Sequence, residues 1–230
     1  TDLSRKGWSF RLASLNSWQK ITRVLPGQPF GTGEDGAVTI TTSTQSQTRI
    51  SCSGTATATT LTLGSSGFTN NDVVLIYQAR GTGVGQWEIN RISSGGGTTT
   101  LTMTKALQYT YTDSGNSQAQ CIKIPQYTNL TISSSNTWTG TTWDADTGGF
   151  LIAAATGILD ILGTMSVNTV GFSGGQVPAS NPSQQGEGTT GILAQSTAAN
   201  GNGGGGAGDS QGGGAGGGNG AAGSNGSGTG

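Results

Sequence analysis

Histidine is absent from all 230 residues. That removes the commonest general base and the commonest metal ligand together. No Ser/His/Asp or Cys/His site can be assembled from this chain alone. Charge is scarce as well, with Lys, Arg, Asp and Glu making up 9% of the sequence. Long apolar runs are missing: the longest, residues 150–155, falls far short of the roughly 20 residues a membrane helix needs. The basic N-terminus is not followed by a continuous apolar stretch of the secretory kind. A leader removed before residue 1, or release by another route such as phage lysis, is therefore expected. These absences argue against an enzyme, and neither cofactor nor membrane span is expected.

Threonine, serine, asparagine and glutamine fill the space that charge leaves, and glycine occurs 43 times. From Gly171 onward large apolar residues almost disappear. Gly203–Gly206 and Gly212–Gly218 hold nothing that builds a hydrophobic core. Such a segment either stays disordered, because it buries too little area to offset its ordering entropy, or pairs backbone with backbone in polyglycine-II-like geometry. An ordered layer between assembled subunits is the expectation for residues 173–230. That composition suits a structural or adhesive surface protein.

Charge is unevenly placed. Arg5, Lys6, Arg11, Lys20 and Arg23 against Asp2 give +4 over the first twenty-five residues, leaving −5 for the remainder. A basic arm on an acidic body favours head-to-tail self-association. The arm interleaves Trp8, Phe10, Leu12, Leu15, Trp18, Ile21 and Val24, and phosphate-binding tails are rarely so apolar. Docking into a protein groove is therefore preferred over burial in the chain's own core, and nucleic acid is disfavoured. The spacing predicts a short helix or an extended docking segment over residues 1–30, stopped by Pro26.

Beyond residue 36 the apolar period becomes two. Residues 37–41 and 57–63 alternate, and 72–78 form a continuous apolar run expected to be buried on both faces. Residues 86–92 alternate again, and Gly95-Gly96-Gly97 turns into 98–104. A first β unit is expected over 31–115 and a second over 116–172. The second has strands at 121–125 and 129–132, a loop carrying Trp138 and Trp143, and then runs at 150–154, 157–162 and 163–168 joined by single glycines. That cadence suits the rungs of a solenoid. The predicted class is all-β: a β-sandwich or short β-solenoid-like body between the docking arm and the glycine-rich segment.

Few residues offer chemistry. Cys52 and Cys121 lie far apart in strand-like runs. They are a disulfide candidate worth roughly 2–4 kcal/mol if bridged, the alternative being two buried thiols. Asp144 and Asp146 sit in Asp-x-Asp-x-Gly order, the start of a calcium loop, but Ala155 stands where the closing glutamate belongs. A turn with two solvated carboxylates is preferred. Residues two apart are also poorly placed to flank a sugar ring as acid and base. Trp87, Trp138, Trp143, Tyr109 and Tyr111 are candidates for stacking on sugars, with core packing the preferred reading. Asn129-Leu130-Thr131 and Asn225-Gly226-Ser227 are glycosylation sequons by pattern alone.

The run Asp72-Val-Val-Leu-Ile-Tyr-Gln-Ala-Arg-Gly-Thr-Gly, with Gly85-Gln-Trp-Glu-Ile-Asn-Arg-Ile and Ala119-Gln-Cys-Ile-Lys-Ile-Pro-Gln-Tyr-Thr-Asn-Leu-Thr, resembles a recurring module of glycine-rich bacterial and environmental proteins whose function is unassigned. Gly186-Glu-Gly-Thr-Thr-Gly and Ala199-Asn-Gly-Asn-Gly-Gly-Gly-Gly match the tails of that family, so the likeness spans roughly residues 33–225. In composition the tail is also similar to the polyglycine brushes of phage tail-tip adhesins. Asp209-Ser210-Gln211 interrupts it, and no strict triplet runs through it.

Together these features lead us to expect a non-enzymatic extracellular structural protein, a self-assembling filament or surface-layer subunit whose partner is itself, joined through the arm. The second reading is a phage tail-fibre or cell-surface adhesin that binds surface glycans.

Overall fold

A computed structural model describes the backbone at residues 8–10, 19–21, 31–41, 44, 47–173 and 186–188. Among the described residues there is no helix, so the all-β expectation holds. The two strands of the arm, β1 (Trp8–Phe10) and β2 (Gln19–Ile21), pair antiparallel with Trp8 opposite Ile21 and Phe10 opposite Gln19. The helical option is thus corrected at these six positions: the extended form wins. Leu12, Leu15, Trp18 and Val24 lie outside the described residues, as does the glycine-rich segment apart from Ser173 and residues 186–188. The polyglycine-II expectation therefore falls on undescribed residues.

The remaining strands run in order: β3 (Val38–Ile40), β4 (Arg49–Ser53), β5 (Thr60–Leu63), β6 (Val73–Arg80), β7 (Trp87–Ser94), β8 (Thr100–Met103), β9 (Gln118–Lys123), β10 (Gln126–Tyr127), β11 (Leu130–Ile132), β12 (Thr137–Thr139), β13 (Ala154–Ala155), β14 (Leu159–Ile161) and β15 (Thr164–Ser166). They belong to two compact units. One contains the chain up to Gln47 with Lys123–Thr142 and Gly148–Gly171, and the other contains Thr48–Ile122, Trp143–Thr147 and the chain from Phe172.

The second unit is a closed barrel in the order β4-β5-β8-β7-β6-β9. Its strands close on themselves instead of stacking as two sheets, which leaves no edge strand in the ring. The local reason is alternation. β5 and β8 carry threonine outward and Leu61, Leu63, Leu101 and Met103 inward. β6 is buried on both faces, as its apolar run predicts. Val74 and Ile76 fill the barrel, while Tyr77 on the outer face stacks on Phe172 at 5.6 Å, and Phe172 in turn meets Trp143 edge-on at 4.9 Å. A register shift between Ile92 and Ser94 in the β7–β8 pairing adds the local bend that closure requires. The tight turn from β7 to β8 depends on Gly95, with φ at +87°, where a Cβ would collide with the carbonyl oxygen of Thr100.

The first unit is built from parallel rungs. β10 pairs with β13, β11 with β14 and β12 with β15, each parallel and in register, so the chain returns to the same side after about 28 residues. β3, which a linear division places with the barrel strands, pairs parallel with β11 instead, Val38 beside Leu130 and Ile40 beside Ile132. Thr44 likewise bridges Thr139. Three rungs thus stack, and equivalent side chains form columns: Val38, Leu130, Leu159; Ile40, Ile132, Ile161; and Trp138 beside Met165. Trp138, expected in a loop, lies in β12 and is buried in this column. Gly163 sits at a corner so tight that a Cβ would strike the carbonyls of Ser133 and Asn136.

Candidate functional site

The sequence around β7 has its polarity reversed. Trp87 and Ile89 point outward and are 45% and 36% exposed, while Glu88 and Asn90, which alternate with them, are buried. Opposite them in register lie Ile76 beside Glu88 and Val74 beside Asn90, both core residues, so the two polar side chains share the inner face of the barrel. A buried carboxylate and a buried amide must find partners, and here they find the backbone of the segment that follows β8. Asn90 donates from Nδ2 to the carbonyl of Lys105 and accepts from its N–H at 3.2 Å. The Gln108 N–H donates to both oxygens of Glu88, at 3.1 and 3.3 Å. On β6 the Gln78 amide both accepts from the Thr112 N–H and donates to the Thr112 carbonyl, each at 2.9 Å. Three inward polar side chains thereby pin residues 105–112.

The pinned segment carries Tyr109, 37% exposed, to the outer face beside the start of β7. Its ring meets Tyr111 edge-on at 6.4 Å, and Tyr111 is itself buried. Gln108 and Tyr109 line an open cleft of 570 Å³ together with residues 84–89. The cleft thus has two aromatic side chains and two amides, while the Glu88 side chain turns to the inner face of the barrel. Burial pushes the Glu88 carboxyl above its ordinary value, partly offset by the N–H groups of Gln108 and Tyr109 and by the neighbouring Tyr111. The same burial raises the Tyr111 phenol, and the adjacent Glu88 charge raises it further.

Aromatic rings at a solvent-facing cleft present flat apolar area to the C–H faces of a pyranose, while amides meet its hydroxyls. The five aromatics weighed from sequence therefore divide. Trp138, Trp143 and Tyr111 are buried, as the core reading expects, whereas Trp87 and Tyr109 are exposed together. Gln86, Glu88, Ile89 and Gln108 were not singled out from sequence. The signal that could have found them is Trp-Glu-Ile at the start of an alternating strand, with the apolar residues on the side the neighbouring strands leave to solvent.

The remaining candidates lie elsewhere. Asp144 caps a turn: its Oδ1 accepts from the N–H groups of Asp146 and Thr147 at 3.0 and 2.7 Å, and Ala145 takes a φ of +77°. Asp146 is bonded by the Gln118 amide. Burial, then repulsion from Asp113 and Asp144, raises its carboxyl. Among the described residues no three His, Cys, Asp or Glu side chains converge as a metal site. Cys52 and Cys121 are free thiols in the barrel core. Ile50 stands opposite Cys121, so continuing the β4–β9 register puts Cys52 diagonal to it. That diagonal spacing, roughly 7–8 Å, exceeds the Cα separations a disulfide spans.

A short piece of the glycine-rich segment is also fixed. Arg80 pairs with Glu187 at 3.0 Å and donates to the Ala145 carbonyl at the same distance. Glu187 is fully buried. Glu187 and Ser173 exchange further hydrogen bonds, and the Gly81 N–H donates to the Gly188 carbonyl at 2.8 Å.

No family model and no curated protein sequence matches the chain. Among solved structures it is similar to the Gp54 tailspike of Acinetobacter baumannii bacteriophage AP22, in complex with A. baumannii capsular saccharide. The likeness has a TM-score of 0.31 at 16% identity and covers 53% of this chain. The chain corresponds to 22% of the length of that tailspike.

Proposed function

We propose that this protein is a non-enzymatic surface or virion β-protein that binds saccharide in the cleft between Trp87 and Tyr109. The observation that carries the reading is the joint exposure of those two rings, Tyr109 standing on a segment held by buried polar side chains. Exposing two aromatics forgoes their burial, so a ligand that covers them is the physical complement. Among the described residues that line the cleft Glu88 is the one acidic residue, which suits binding rather than the paired-carboxylate chemistry of glycoside hydrolysis. The test is a glycan array of neutral hexose, N-acetylhexosamine and uronic-acid polymers, probed with the full chain. Glycan binding should be weakened about two- to tenfold by Trp87→Ala and by Tyr109→Ala, matching about 0.5–1.5 kcal/mol per stacked ring. Undiminished binding by both variants sinks the proposal.

A second reading, self-assembly, is favoured by a different observation. Leu159 and Ile161 of β14, the edge of its sheet, are 41 and 40% exposed, and Ile158 and Leu162 that flank it are 67 and 59% exposed. An apolar edge strand is a template for pairing with another copy. Sedimentation of the wild type against Leu159→Lys tests it: assemblies that survive the charge overturn it.

A further inference from the structure

We infer that the open edge of β14 receives the basic N-terminal hairpin of a second copy, with β2 added as the next strand of the sheet; the inference rests on the self-assembly reading above. The edge is built to take a strand. The Ile158 carbonyl accepts from the Leu130 N–H, and the Leu162 N–H donates to the Ile132 carbonyl. Alternation along the strand then turns the N–H and C=O groups of Leu159 and Ile161 away from β11, to the open side. Asp160 between them is exposed and belongs to no ion pair among the described residues. An occupant of this edge must therefore bring backbone groups, apolar area and a cation.

Three strands of a second copy compete for the edge, and two of them match it badly. β3, at the far side of the same sheet, would continue the columns, but its end is already covered: Ile40 is 9% exposed and Val38 half-buried, against 40% for Ile161 and 41% for Leu159. A second β14, running antiparallel about a two-fold axis, sets Asp160 opposite Asp160, and like charges directly opposite destabilise a strand pair. β2 has the opposite sign at the same place. Lys20 is the middle residue of Gln19–Ile21, as Asp160 is of Leu159–Ile161. Full overlap sets the two opposite each other in either strand direction. The hairpin also has an edge to give. β1 and β2 form a sheet of two strands that pairs with nothing else among the described residues, and a lone hairpin is marginal until a third strand joins it. The first twenty-five residues carry +4 against −5 for the remainder, so each copy brings a basic donor and an acidic acceptor. One strand given and one received per copy is a heterologous contact, which extends into a chain of copies or closes into a ring.

The experiment uses two full-length variants, Lys20→Asp and Asp160→Lys, each sedimented alone and as an equimolar mixture. Alone, each sets like charges across the contact. That should raise the concentration of half-assembly about fivefold, the effect of one like-charge pair about 4 Å apart under water-like screening. Mixed, each hairpin meets an edge of opposite sign on the other variant, and assembly should return to the wild-type concentration. Placement is read by a disulfide, under mild oxidation, between Lys20→Cys in one chain and Asp160→Cys in another. A mixture no better assembled than its parts, with no such crosslink, overturns the inference. If Leu159→Lys still prevents assembly in that case, the self-assembly reading stands with another strand on the edge. Asp160→Cys chains linked to one another would make that strand a second β14. Wild-type protein that stays monomeric at every concentration removes the reading and the inference with it.

Discussion

Leu130 and Leu159 occupy the same column in successive rungs, directly paired in register, yet Leu130 is 2% exposed and Leu159 is 41% exposed. The difference is position in the stack. β11 has a neighbour on each side, β3 and β14, while β14 ends the sheet. Ile132 and Ile161 repeat the contrast, at 0% and 40%. Columns of this kind gain their burial only from neighbouring rungs, so identical chemistry has unequal energetic weight along one column.

Leu130→Ala should therefore destabilise the solenoid unit by about 2–5 kcal/mol, the range for a large core residue cut to alanine. Leu159→Ala should cost about 0.5 kcal/mol or less in the monomer. Urea unfolding of both variants measures the contrast, and equal costs would show that the β14 side chains are covered in solution.

Removing one partner of the buried Arg80–Glu187 pair leaves the other charge without compensation. Glu187→Gln should cost about 3–5 kcal/mol, and Arg80→Met combined with it should recover part of that loss. A double-mutant cycle by chemical denaturation checks this; additive losses would mean that the pair is not coupled.

Glu88 and Asp146 share a pH signature. Burial raises both carboxyls above their ordinary values of 4.5 and 3.8. A raised folded-state value means that the native state holds its proton more tightly than the unfolded chain. The associated stability is complete below the ordinary value and is lost as pH rises through the folded one. Stability should thus decline over the window just above pH 4.5, and Glu88→Gln should flatten part of that decline. Denaturation midpoints measured at stepped pH test the sign; stability rising through that window would contradict it.

The two cysteines should behave as inert thiols. Burial raises Cys52, with Cys121 and Asp113 adding to the effect, and burial also raises Cys121. Alkylation should be slow in the native protein and should reach both residues on unfolding without reductant. A linked Cys52–Cys121 peptide in unreduced digests would contradict the diagonal placement in the barrel.

Much of the fold is written in local pattern. Alternation at 57–63 and 98–104 fixes which threonines face out, and the unbroken apolar run at 72–78 marks a strand covered on both faces. The glycine-joined cadence after Gly157 marks solenoid rungs. Each of these follows from the two-residue repeat of a strand and the short reach of a glycine corner, so neighbouring residues suffice. The partner of β3 could not be read this way. Val38 pairs with Leu130 across the whole barrel segment, and local periodicity holds no term for a contact between strands so distant in sequence. Barrel closure, the docking of Glu187 on Arg80 and the exposure of Trp87 beside Tyr109 share that character. A tryptophan in an alternating strand reads the same whether or not something covers it. The sequence determined that Trp87 faces opposite to Glu88; only the tertiary structure decided that Glu88's face is the core, because burial depends on what the rest of the chain brings against each side.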